Sequence, residues 1–333
     1  MSNIRDIARI SNTSLGTVSR VINKSGYVRD STRERVEKAI QELGYEPNAG
    51  ARQMRSGKTK LIGILLPALD VSFFGILAHT LEQRLFEKGY HSLICNTSEN
   101  EEHEAKYIST LIAQNVEGII AASVFDQTSN YSRILQRNIP IIAIDRALPE
   151  LPNNAVTVDH MEGGRIMAKH LLDLGHTRIA VIGAPQHSPP IGLRVLGIKE
   201  VMAENGLAPT VIKLGDTHSF EACYDLAFDV LSVPNPPSAI IGTTDTAAIA
   251  CIHAAFKLNF AVPQNLSVIG FDDLPETAFV IPQLTTVAQP IRELGRAAIS
   301  QLLSLIDPKK PVSPKTYNLE LKLIERDSTA APS

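Results

Sequence analysis

From Leu61 onward the chain repeats one pattern: a short apolar run, then an amphipathic stretch of helical length. The runs include LIGILL (61–66), SLIC (92–95), GIIAA (118–122), PIIAI (140–144), IAVIG (179–183), AIIG (239–242) and LSVIGF (266–271). A strand that is apolar on both sides must be covered on both faces, and strands joined through helices run parallel. The pattern therefore predicts an open, doubly wound α/β sheet. Lys60-LIGILLP also resembles Arg178-IAVIGAP, and GIIAAS (118–123) resembles AIIGTT (239–244), at offsets of 118 and 121 residues. The helices after the first pair end at Gly89 and Gly206, 117 residues apart. Two similarly wound lobes account for this spacing, and a cleft between lobes is a favoured place for a small ligand.

The first sixty residues follow a different rule. Asn3 can cap a helix starting at Ile4, with Asp6 in its first turn. A polar break at Asn12-Thr13 precedes a second helix over 14–22. Ser31-x-x-Glu34 has the form of a capping box for a third helix that runs to Gly44. Pro47-Asn48 then opens a brief fourth, ending near Ser56-Gly57. On the second helix Val18, Val21 and Ile22 share one face and can pack on Ile4, Ile7 and Ala8, which leaves Leu15, Gly16, Ser19 and Arg20 on the other face. This segment carries 12 Lys/Arg against 6 Asp/Glu, while the rest of the chain carries 20 against 29. A small basic unit on an acidic body points to a polyanionic partner at one end. A solvated helical subdomain with clustered charge is the alternative.

Other function classes leave no trace. The start has no apolar h-region, and no stretch reaches the roughly 18 apolar residues of a membrane span, so a cytoplasmic chain is expected. Cys95, Cys223 and Cys251 are far apart and read as reduced thiols. Gly57-Lys58-Thr59 ends like a phosphate loop, but Arg52 stands where that motif needs glycine. No GxSxG, HExxH or GxGxxG occurs. The histidines include no i, i+4 pair, and His160, His170 and His176 read as scattered surface or helix residues, so neither metal nor cofactor is expected.

The segments IRDIARISNTSLGTVSRVIN and TRERVEKAIQELGYEPNAGARQMRSGKT resemble the headpiece of the LacI/GalR (lac-repressor-like) family of bacterial transcription regulators. The likeness continues through GILLP (63–67), Phe73-Phe74, EGII (117–120), IDR (144–146), LGHTRIAVIG (174–183), Arg194-x-x-Gly197, VPQNLSVIGFDD (262–273) and LTTVAQP (284–290). It implies an all-α helix-turn-helix headpiece (1–46), a hinge helix and linker (47–60), and a bilobal α/β domain like periplasmic binding proteins (61–333). Lobe 1 would span about 61–158 plus 288–316, and lobe 2 about 159–287 plus 317–328.

The resemblance further implies a homodimer reading a near-palindromic double-stranded DNA operator. Leu15, Gly16 and Arg20 would face bases, and Ser14, Thr17, Ser19 and Asn23 phosphates. Met54, with Ala51 one turn earlier, would be the minor-groove wedge. Gly50 weakens the hinge helix, which is expected to be disordered without DNA. In the cleft, Phe73 and Phe74 match the family's ring-stacking position, and Asp145, Arg146, Arg194, Asp272 and Gln289 its polar ligands. His218 falls at a frequent aromatic position. Val71 and Thr244 stand where asparagines are common, so no particular sugar carries over. Asp273 is expected to cap the segment that follows it. The Asp145-Arg146 pair favours a sugar or sugar phosphate over a purine, and a purine- or nucleoside-responsive regulator is the alternative. A sugar-binding module without a DNA role, or a carbohydrate enzyme, is disfavoured by the headpiece and by the lack of a nucleophile–base set.

Overall fold

The computed structural model describes residues 3–45, 58–122, 129–148, 154–183, 185–307 and 315–332. The expected hinge helix, with Gly50, Ala51 and Met54, lies outside the described residues. The chain divides into two units, Met1–Thr59 and Lys60–Ser333.

In the first unit, helix Ile4–Ile10 begins in a reciprocal cap: the Asp6 amide donates to Asn3 Oδ1 at 3.2 Å, and the Asn3 amide to Asp6 Oδ2 at 3.0 Å. Such a cap satisfies two amides that the helix itself leaves unpaired. Helix Leu15–Ile22 is capped by Ser14, whose Oγ accepts from the Thr17 amide at 3.1 Å. The third helix corrects an expectation. It starts earlier, at Asp30, with Arg29 at the cap position and no side-chain cap, so Ser31 and Glu34 lie inside the helix and form no capping box. It ends as expected, with Gly44 at φ 55°, a left-handed turn that glycine takes without strain. Ile7, Val18, Val21, Val28, Val36 and Ala39 form the buried core of the unit.

The second unit contains two six-stranded sheets. In chain order the first holds β1 (Leu61–Leu66), β2 (His91–Asn96), β3 (Gly118–Ala121), β4 (Ile141–Asp145), β5 (Ala155–Val158) and β11 (Tyr317–Leu319). The second holds β6 (Ile179–Gly183), β7 (Val211–Leu214), β8 (Ala239–Gly242), β9 (Ser267–Asp272), β10 (Thr285–Ala288) and β12 (Lys322–Ile324). Their orders, β11-β5-β4-β3-β1-β2 and β12-β10-β9-β8-β6-β7, are the same winding used twice. All pairings are parallel except β10 with β12. Each sheet has an apolar core on both faces, as runs without a polar side require.

The lobe boundary at 316/317 needs correction. Tyr317–Leu319 still pairs with β5 of the first lobe, and only Lys322–Ile324 joins the second. The chain thus crosses between lobes three times, at 158–160, 288–291 and 319–322. Among the described residues no helix is long and apolar enough to cross a membrane.

Candidate functional site

The carboxyl ends of the strands converge on a cavity between the two lobes. Its wall takes Pro67 after β1, Ala122 after β3, Ile144 and Asp145 at the end of β4, Thr244 after β8, Asp272 at the end of β9 and Gln289 after β10. Open parallel sheets place ligands at this edge. Phe73 and Phe74, in the first turn of helix Ser72–Glu87, meet edge to face with centroids 5.0 Å apart and an interplanar angle of 88°. Both line the cavity and belong to the first lobe's core, so the aromatic wall is rigidly backed. Leu274, reaching over from the second lobe, is buried in that same cluster.

Arg194 lies in the second turn of helix Pro189–Glu204 and is only 3% exposed. Its Nη1 donates to the Thr243 carbonyl at 2.6 Å, its Nη2 lies 3.2 Å from His160 Nδ1, and its guanidinium sits 3.7 Å over the Phe271 ring. The helix is held this close by glycine contacts. A Cβ on Gly164 would collide with the Arg194 carbonyl, and one on Gly197 with the Met161 carbonyl, so helices His160–Asp173 and Pro189–Glu204 touch backbone to backbone. The motif Arg194-x-x-Gly197 thus places the cation and permits the crossing that fixes it.

His160 is the largest correction. It is a helix residue but not a scattered surface one: it is buried at the start of its helix, and its Nε2 lies 2.9 Å from the Asp145 carbonyl. A carbonyl can only accept and an arginine can only donate. Nε2 therefore donates to that carbonyl, and Nδ1 accepts from Arg194. His170 and His176 are buried too, and His176 Nε2 lies 2.8 Å from the Ala330 carbonyl.

Among the described residues, three buried polar atoms of the cavity wall have no hydrogen-bond partner: Arg194 Nε, Asp145 Oδ1 and Gln289 Oε1. Asp145 Oδ1 is 3.4 Å from His160 Nε2, but that nitrogen is directed at the backbone carbonyl. Unpaired buried groups are costly, and a cavity whose wall holds three of them suits a polar ligand. Gln289 Nε2 donates to Asp272 Oδ1 at 2.7 Å, which orients the amide and leaves its oxygen free to accept. Thr244 caps helix Asp245–Lys257 through the Ala247 amide at 3.2 Å while facing the cavity. Burial pushes Asp245, behind it, well up from the ordinary carboxylate range, with Asp272 adding to the shift.

Two expected residues fall elsewhere. Arg146 is buried but is not part of the cavity wall. Asp273 does not cap the short 3-10 turn Pro275–Ala278; it takes Arg326 Nη2 at 2.6 Å. His218 does line the cavity, and its Nδ1 bonds the Glu99 carboxylate across the lobes, a contact the sequence did not signal. Burial pushes the Cys95 and Cys223 thiols each up to about 11, which leaves them unreactive.

In the headpiece, the face of helix Leu15–Ile22 opposite the core is open: Leu15 is 46% exposed, and Gly16 and Arg20 are exposed beside it. Asn23 Nδ2 folds back to the Ser19 carbonyl at 2.8 Å.

A helix-turn-helix unit and a two-lobed domain with a polar cleft define a ligand-responsive DNA-binding regulator. Residues 3–48 match the pattern of bacterial regulatory proteins of the lacI family, and residues 168–329 that of a periplasmic binding protein-like domain. The chain is 35% identical to the ribose operon repressor of Halalkalibacterium halodurans, over 99% of this chain and 97% of that one. It is 38% identical to the HTH-type transcriptional regulator DegA of Bacillus subtilis, over 88% of each. The crystal structure of the lac repressor dimer bound to operator and the anti-inducer ONPF superposes with a TM-score of 0.89 at 27% identity, covering 99% of both chains. The chain belongs to the LacI family of transcription regulators, whose members are not enzymes.

Proposed function

We propose that the protein is a transcriptional repressor that binds a near-palindromic DNA operator as a homodimer and is released by a small sugar or sugar phosphate in the interlobe cleft. Leu15, Gly16 and Arg20 read bases, with Arg20 the polar reader. Ser14, Thr17, Ser19 and Asn23 hold phosphates, and Met54, with Ala51, wedges the minor groove. Residues 1–46 form the DNA-binding domain and 47–60 the hinge and linker. A cytoplasmic location follows from the DNA partner.

The observation that carries the regulatory half is the trio of unpartnered buried atoms, Arg194 Nε, Asp145 Oδ1 and Gln289 Oε1, contributed by both lobes to one cavity. A ligand that satisfies all three favours the closed arrangement of the lobes. Such differential affinity, with a typical coupling of about 1–3 kcal/mol, is what shifts a two-state equilibrium. The test is an operator gel shift with a panel of sugars, sugar phosphates and purines. Release by a sugar or its phosphate supports the reading, and operator binding that no compound alters contradicts it.

A further inference from the structure

We infer that the cleft takes a single, unphosphorylated sugar ring, and that the Glu99–His218 pair is the wall limiting its length. The inference rests on the reading of the cleft as an effector site.

The first half follows from counting donors and acceptors. Asp145 and Asp272 face one arginine in the wall, and two of Arg194's nitrogens are already engaged by Thr243 and His160. Among the described residues, the fully buried atoms of the wall left without a partner are one donor, Arg194 Nε, and two acceptors, Asp145 Oδ1 and Gln289 Oε1. Sugar hydroxyls both donate and accept, so vicinal hydroxyls satisfy all three atoms. A phosphoryl group near neutral pH offers mostly acceptors and up to two negative charges. Placed against these atoms, it would leave both acceptors unpaired and set a dianion against two aspartates.

The second half is steric. His218 lines the inner cavity and also a wider chamber at the cleft mouth, and Val71 and Thr246 border both. The His218 ring stands edge-on to Phe74, centroids 6.3 Å apart, at the end of the aromatic wall. Glu99 holds it there from the other lobe, with His187 Nε2 3.9 Å from the same carboxylate. The partition therefore exists only while the lobes are together. A second ring linked to the first would have to displace it. The outer chamber, bordered by Asp70, Glu99 and Glu221, repels anions as well.

The experiment is calorimetric titration of the full-length protein and its His218→Ala, Glu99→Ala and Arg194→Ala variants. The probes are D-ribose, D-fructose, D-glucose, D-galactose, D-ribose 5-phosphate, D-glucose 6-phosphate, sucrose and cellobiose. Expected is binding of a monosaccharide, with its phosphate ester about tenfold to a hundredfold weaker. Sucrose and cellobiose should be excluded by the parent protein, and at least one admitted by His218→Ala or by Glu99→Ala, which keeps the ring but removes its latch. A phosphate ester that binds more tightly than its parent sugar, or a disaccharide that matches a monosaccharide in the parent protein, overturns the inference. If that ligand is lost in Arg194→Ala, the cleft is still the effector site. Binding that survives Arg194→Ala, or silence of the whole panel, overturns the effector reading itself.

Discussion

Asp145 and Asp272 occupy equivalent places in the two lobes: each ends the fourth strand of its sheet, and each turns the backbone left-handed, at φ 73° and 127°. Their surroundings drive them apart. Burial works to raise Asp145, but the nearby His160 Nε2–H, 3.4 Å from Oδ1, and the Arg194 and Arg146 guanidiniums outweigh it and hold the carboxyl below its ordinary value. Burial dominates at Asp272 and raises it, although Arg194 and the Gln289 amide oppose the shift. On acidification Asp272 therefore takes up a proton before Asp145. Effector affinity should fall as pH drops through the raised range of Asp272, while Asp145 is still ionised. Calorimetry across that range checks it, and Asp272→Asn should remove the dependence.

The backbone contact of the two second-lobe helices leaves no room for a methyl group. Gly197→Ala should destabilise the effector domain by about 1–3 kcal/mol, the usual cost of overpacking. Thermal unfolding reads the loss. Because the same contact sets the position of Arg194, the surviving folded protein should also answer effector weakly in the gel shift.

Arg194→Ala should abolish the effector response while operator binding persists. Arg194→Lys should not rescue it, since an ammonium cannot bond Thr243 and His160, lie flat on Phe271 and still present a third donor. Loss of operator binding in both variants would assign Arg194 a purely structural role.

Arg20 is exposed and outside the headpiece core, so Arg20→Ala should leave unfolding of the unit unchanged. It should weaken operator binding by about 1–3 kcal/mol and relax sequence preference at one position of each half-site. Gel shifts at fixed salt against a panel of single-base operator variants measure both.

His176 is held below the ordinary histidine value of 6.5, first by burial, although the Ala330 carbonyl pulls the other way. The folded state thus favours the neutral ring. The stability this contributes is full above the unfolded value of 6.5 and is lost as pH falls through the lowered folded value. Unfolding of the parent protein and His176→Asn should differ most at neutral pH and converge on acidification. A constant difference would count against the linkage.

The paired sheets were legible in the sequence because their central strands are buried on both faces and read as unbroken apolar runs. Edge and short strands were harder to see. Val211–Leu214 carries Lys213 and is half-buried, and Tyr317–Leu319 has three residues, so neither stands out from a loop. The cleft residues Phe73, Phe74, Asp145, Arg194, His218, Thr244, Asp272 and Gln289 do line one cavity. His160 and Glu99 escaped because their roles depend on partners 34 and 119 residues away, at Arg194 and His218.

The three passages between lobes bear on how this protein can fold at all. No continuous fragment holds a complete lobe, since a chain stopped after residue 316 lacks the outermost strand of both sheets. Neither half can then mature alone as the polypeptide emerges, and the second unit must wait for residues 317–324 before either sheet is complete. Denaturation of this unit should accordingly be a single all-or-none event, and nicking or truncating its tail should damage both lobes together.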